Sequence, residues 1–200
     1  MDITGLAHPN PGSGFSVEPD EWSDAVAASR LVNLTAPERE RSRGSGGRIA
    51  RDLGFGTVAW LRERTELPVL VKGVLRADDA RRAVDAGASG VIVSTHGARG
   101  LASAVPSALA LAEVVDAVGN DAEVYADSGI RTGLHVASAL ALGARAVFVG
   151  RPVLWGLALN GADGVRDVIE TLSADLSRAM DLLGAPTLEQ LTPDLIARGL

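Results

Sequence analysis

From Thr57 onward the sequence alternates short apolar runs with amphipathic segments, and this alternation limits the fold more than any other feature. The runs PVLVKG (68–73), GVIVST (90–95), AEVYAD (122–127) and AVFVG (146–150) are short and rich in Val, and they predict four strands. Between them, RADDARRAVDAG (76–87), SALALAEVVDAVG (107–119) and TGLHVASALALG (132–143) predict helices that stop at a glycine. TVAWLRERT (57–65) is an amphipathic segment before the first strand, and DGVRDVIETLSADLSRAMDLLG (163–184) predicts a long final helix. TLEQLTPDLI (187–196) predicts one more short helix. Strands that alternate with helices at a spacing of ~25–30 residues make βαβ units and a parallel sheet. The repeat DAGASGVIVS and ALGARAVFVG, helix end then Gly then strand, suits a (β/α)8 barrel and a doubly wound sheet alike.

The first 53 residues differ from the rest. They are rich in Gly, Pro, Ser and charge, and ERERSRGSGGR (38–48) reads as a solvated linker. Within them EWSDAVAASR (21–30) predicts a short helix and LVNLT (31–35) a short strand. The expected division is therefore an irregular segment over 1–53 and an α/β domain over 54–200.

Composition removes several function classes. Lys and Arg number 19 against 25 Asp and Glu, a net charge of −6, which disfavours general binding to nucleic acid or anionic membranes. No cysteine is present, so disulfides, Cys-ligated zinc and iron–sulfur clusters are excluded. The start MDITGLAHPNPGSG lacks the features of a secretory leader, and no apolar run approaches the ~20 residues of a membrane span. A soluble, cytoplasmic protein is expected.

Parallel α/β folds gather their ligands at the carboxyl ends of the strands. Those ends carry Lys72-Gly73, then Ser94-Thr95-His96-Gly97-Ala98-Arg99, then Asp127-Ser128-Gly129-Ile130-Arg131, then Gly150-Arg151-Pro152. Gly129 and Gly150 allow close backbone approach, and Arg131 and Arg151 add bidentate donors, a combination suited to phosphate. Imidazole exchanges its proton near neutral pH, which makes His96 a candidate for proton transfer, with Arg99 placed to clamp a carboxylate. Lys72 ends an apolar strand, where a cation can stabilise developing negative charge. Taken singly, the two arginine loops are as readily solvated turns, a lone loop histidine such as His96 is more often a plain polar residue, and Lys72 could instead reach solvent or pair with Asp127.

The two stretches LPVLVKGVLRADDARRAVDAGASGVIVSTHGARG and YADSGIRTGLHVASALALGARAVFVGRPVLWGLA closely resemble the FMN-dependent α-hydroxy acid oxidase and dehydrogenase family. The resemblance runs from about Val58 to Leu191, and Lys-Gly, His-Gly-x-Arg, Asp-x-Gly-x-Arg and Gly-Arg-Pro occur in the family's order. It implies a (β/α)8 barrel of which this chain supplies strands five to eight with their covering helices. It also implies oxidation of a small L-2-hydroxy acid to the 2-oxo acid with FMN as cofactor, and no metal. His96 would be the base and Arg99 the substrate-carboxylate clamp. Lys72 would lie at the flavin N1–O2 edge and Ser94 near the ring. Asp127, Gly129 and Arg131, with Gly150 and Arg151, would hold the ribityl chain and phosphate. Thr95, Ala98, Gly100, Ser128 and Thr132 stand where the family usually has Asn, Gly, Gln, Gly and Arg. With half a barrel, a second copy or another half-barrel is expected to complete the fold. The other reading is a truncated, non-catalytic flavin- or phosphate-binding half-barrel.

Overall fold

The structure, a computed structural model, describes residues 53–197. Its elements are α1 (Phe55–Arg62), β1 (Leu70–Val74), α2 (Ala77–Asp85), β2 (Gly90–Val93), α3 (Ser107–Val118), β3 (Glu123–Ala126), α4 (Gly133–Ala141), β4 (Ala146–Val147) and α5 (Arg151–Leu183). Single 3-10 turns occupy His96–Ala98, Leu188–Gln190 and Pro193–Leu195. The helix expected over 21–30 and the strand over 31–35 lie outside the described residues.

Local chemistry sets the helix limits. α2 places Asp78 and Asp79 in its first turn and Arg82 in its last, which suits the helix dipole. α2 and α4 then end in the same joint. Gly87 and Gly143 take φ of 98° and 99°, a left-handed conformation that glycine adopts without a Cβ clash. The amide one residue on reaches back to the helix, Ala88 to Ala83 and Ala144 to Ala139, both at 3.0 Å. The repeated Gly-small pair thus turns each helix directly into the next strand.

The four strands are parallel and lie in chain order, β1-β2-β3-β4. Their register separates two faces. Val71, Val91 and Val124 form one row, and Val93, Ala126 and Val147 another, on the face toward the helices. Val58, Ala80, Ala83, Leu111, Val114 and Val118 of the helices close over that face as one core. Each large side chain so buried contributes about 1.5–3 kcal/mol. The intervening row, Lys72, Ile92, Tyr125 and Ala146, is only half-buried or exposed. A doubly wound sheet buries both faces, whereas a section of a (β/α)8 barrel has helices on one side only. The one-sided burial decides between the two readings that periodicity left open.

Three segments differ from expectation. β4, expected over 146–150, covers only Ala146–Val147, because its partner β3 ends at Ala126 opposite Val147, and α5 begins at Arg151 after Gly150 (φ −106°, ψ −84°). The long helix expected over 163–184 starts at Arg151 instead, and α5 bends at Asn160 and Gly161 before its long arm. The two arms meet at Gly156 and Gly164, where a Cβ on either would overlap the other's backbone. The helix expected over 187–196 is two 3-10 turns, the first closed by a capping box between Thr187 and Gln190. Their Leu191 joins Ala137, Ala141, Ala179 and Ala185 in a small second cluster between α4 and α5. Among the described residues no helix is long and apolar enough to cross a membrane.

Candidate active site

The carboxyl ends of β1, β2 and β3 bring Lys72, Ser94 and Asp127 together. The register skips between Lys72 and Val74, and Gly73 takes φ 97°, so the bulge kinks β1 directly after the lysine. The Lys72 ammonium lies 2.9 Å from Ser94 Oγ, 3.0 Å from Asp127 Oδ2 and 3.0 Å from His96 Nδ1. An ammonium has three hydrogens and cannot accept, so Nδ1 of His96 is the acceptor in this contact. Ser94 is fully buried, and its hydroxyl also accepts from the His96 amide at 3.0 Å.

Asp127 balances this cation. Burial pushes its carboxyl upward, but hydrogen bonds from Ser128, Ser94 and Lys72, together with the lysine charge, outweigh that. The net result holds Asp127 below the ordinary carboxylate value, so it is ionised at neutral pH.

His96 sits in an unusual turn. His96, Gly97 and Ala98 take φ of 57°, 68° and 62°, three consecutive left-handed residues. Only the middle one is glycine, and a non-glycine residue held there costs on the order of 1–3 kcal/mol. Ser128, itself at φ 70°, reaches across to this turn. Its hydroxyl accepts from the amides of Thr95 and Gly97, both at 3.2 Å, and donates to Asp127 Oδ1 at 2.6 Å.

Arg151, the first residue of α5, packs over the same turn, and a Cβ on Gly97 would stand 3.2 Å from its guanidinium nitrogen. Arg131 donates to the Ile130 carbonyl at 2.7 Å, and its guanidinium lies 5.4 Å from the ring centre of Trp155, one turn along α5 from Arg151. Both arginines therefore lie at the end of the sheet that holds Lys72. A Cβ at Gly129 or at Gly150 would meet nothing within 4 Å. Open space beside two glycines, with the amino terminus of α5 and the Arg131 and Arg151 guanidiniums at the same end, is a setting that can hold an anion.

The structure thus gathers Lys72, Ser94, His96, Asp127 and Arg151 around one turn and places Arg131 nearby against Trp155. Arg99 follows the turn and is exposed. Sequence reasoning assigned no role to Ser128 or to Trp155. For Ser128 the available signal was a small polar side chain at a loop position where glycine is usual. A cleft of about 910 Å³ opens at the other end of the strands, lined by Ser89, Glu123, Arg145 and Leu188, and holds none of the candidate residues.

Comparison with known proteins gives these positions a context. The family model for FMN-dependent dehydrogenases matches residues 10–198. The 4-hydroxymandelate oxidase of Amycolatopsis orientalis is 52% identical over 180 residues, covering 86% of this chain and 48% of that protein. Human 2-hydroxyacid oxidase 1 is 47% identical over 151 residues, 75% of this chain and 40% of the oxidase. Among solved structures, mandelate oxidase with (S)-4-hydroxymandelic acid superposes with a TM-score of 0.67 at 49% identity, covering 70% of this chain and 39% of that one. The same oxidase with (S)-2-phenylpropionate gives 0.68 at 43% identity, covering 76% and 48%. The chain spans less than half the length of each of these relatives.

Proposed function

The chain belongs to the FMN-dependent dehydrogenase family, and from that membership we propose that it oxidises a small L-2-hydroxy acid to the 2-oxo acid. The supporting observation is the convergence of Lys72, Ser94, His96 and Asp127 at the strand ends, with Arg151 over the same turn. Bound FMN supplies a two-electron acceptor. Asp127, Gly129, Arg131, Gly150 and Arg151 would hold its ribityl chain and phosphate, and Ser94 would lie near the ring. Lys72 would supply the positive charge that offsets negative charge on the reduced cofactor.

His96 takes a proton from the hydroxy acid, and Arg99 holds the acid's carboxylate. Proton uptake at Nδ1 requires Lys72 to release that atom. Ser94 Oγ and Asp127 Oδ2, at 2.9 and 3.0 Å, keep the lysine in place when it does. A second half-barrel, another copy of this chain included, covers the half-exposed strand face and completes the site. The cysteine-free composition fits a reducing compartment such as the cytoplasm.

Anaerobic mixing of the FMN-loaded protein with glycolate, L-lactate and (S)-mandelate tests the activity. The flavin absorbance bleaches with at least one acid. His96→Ala retains FMN and does not bleach, whereas Arg151→Ala retains FMN poorly. Bleaching of His96→Ala at the unmutated rate removes His96 as base. The strand face on which Lys72, Ile92 and Tyr125 are only half-buried supports one other reading, a non-catalytic flavin- or phosphate-binding half-barrel. That protein retains FMN but bleaches with none of the acids.

A further inference from the structure

We propose that Ser128 is a positioning residue for His96, clamping a strained turn that Ala98 would otherwise release; this rests on the assignment of His96 as base. Two independent features of the structure meet at this point. First, the turn His96-Gly97-Ala98 is left-handed throughout, and Ala98 at φ 62° carries a Cβ in a conformation that disfavours it. Ala98 is exposed, so burial of its side chain does little to hold it there. Second, the amides of Thr95 and Gly97, which bracket His96, both donate to one hydroxyl, that of Ser128, at 3.2 Å.

The clamp is itself anchored. Ser128 donates to Asp127 Oδ1, whose other oxygen faces Lys72 Nζ at 3.0 Å, and Lys72 in turn donates to His96 Nδ1. The ionised carboxylate thus orients the serine hydroxyl as an acceptor toward the turn, since its single hydrogen is committed to Asp127. The backbone on both sides of His96 and the imidazole itself are held from the same carboxylate by two routes. Ser128 adopts φ 70°, a conformation that glycine would take at no cost, so the hydroxyl is retained against backbone strain.

Removing the hydroxyl frees both amides and lets Ala98 relax the turn toward right-handed backbone, which rotates His96 away from the site. Replacing Ala98 with glycine removes that residue's share of the strain and leaves only His96 as a non-glycine residue in the turn. The two positions are therefore coupled, although they lie on different loops.

Three variants of the full chain, S128A, S128G and S128A/A98G, test this in the FMN-loaded protein. S128G has no left-handed penalty at 128 and keeps the experiment readable should S128A fold poorly. Amide hydrogen exchange at Thr95 and Gly97 rises at least tenfold in both single variants. With the acid that bleaches the unmutated protein, the rate of flavin reduction falls at least fivefold at saturating acid. FMN affinity changes less than twofold. Adding A98G to S128A recovers at least half of the lost rate, which a general loosening of the fold would not do. Unchanged exchange at Thr95 and Gly97, or a double variant no faster than S128A, overturns the proposal. Should the unmutated protein bleach with none of the acids, the assignment of His96 as base fails. Exchange at the two amides, and its return toward the unmutated level in the double variant, then still decides whether Ser128 clamps the turn.

Discussion

Lys72 and Asp127 illustrate how single residues set the character of this site. Their side chains are 26% and 16% exposed, so the pair is partly desolvated without being sealed from water. Asp127→Asn leaves the ammonium without its counter-charge and is expected to cost about 1–3 kcal/mol at pH 7. The native carboxyl is held below its ordinary value, so its contribution is complete above that value and is lost as pH falls through the depressed one. The stability gap between Asp127→Asn and the unmutated chain therefore begins to close as pH drops below about 4, near the ordinary aspartate value. Urea unfolding across that range checks both the gap and its closure. These residues were legible in the sequence because each places a charge or an imidazole at the end of an apolar strand. Ser128 was not, since its importance comes from a positive φ and from two amides on another loop, neither of which leaves a periodic trace.

At the scale of elements, the helices pack through contacts that admit no extra atoms. Gly133, the first residue of α4, lies against the backbone of Asp175 and Leu176 in α5, and its amide donates to Asp175 Oδ2 at 2.6 Å. Gly133→Ala drives a methyl into that backbone and is expected to cost about 1–3 kcal/mol or more. Asp175→Ala removes only the cap, at about 0.5–2 kcal/mol. Chemical denaturation midpoints rank the two. Leu111 of α3, 1% exposed in the core, loses about 2–5 kcal/mol on conversion to Ala. Ile92, on the half-buried strand face, loses less in the isolated chain. Helix and strand identity over 57–147 followed from pattern and glycine stops, because each element is local and its burial periodic. The merger of 151–183 into one bent helix did not, because Asn160 and Gly161 look like a loop and the close Gly156–Gly164 contact is tertiary.

Over the whole molecule, the uneven burial of the two sheet faces governs behaviour. Leu70, Ile92, Tyr125 and Phe148 lie where a further layer would be expected, and Phe148 remains 48% exposed. Incomplete cover of several such side chains forfeits part of the 1.5–3 kcal/mol or so that each would contribute when buried. Sedimentation of this chain is therefore expected to show a species heavier than the 20.6 kDa protomer. A cooperatively melting monomer at all concentrations counts against a closing partner. The strand order carries a separate consequence for how the chain is made. Each βα unit docks beside the one synthesised just before it, so a growing polypeptide can lengthen the sheet at one edge, step by step. No later segment has to thread between two already seated, and assembly can keep pace with the ribosome.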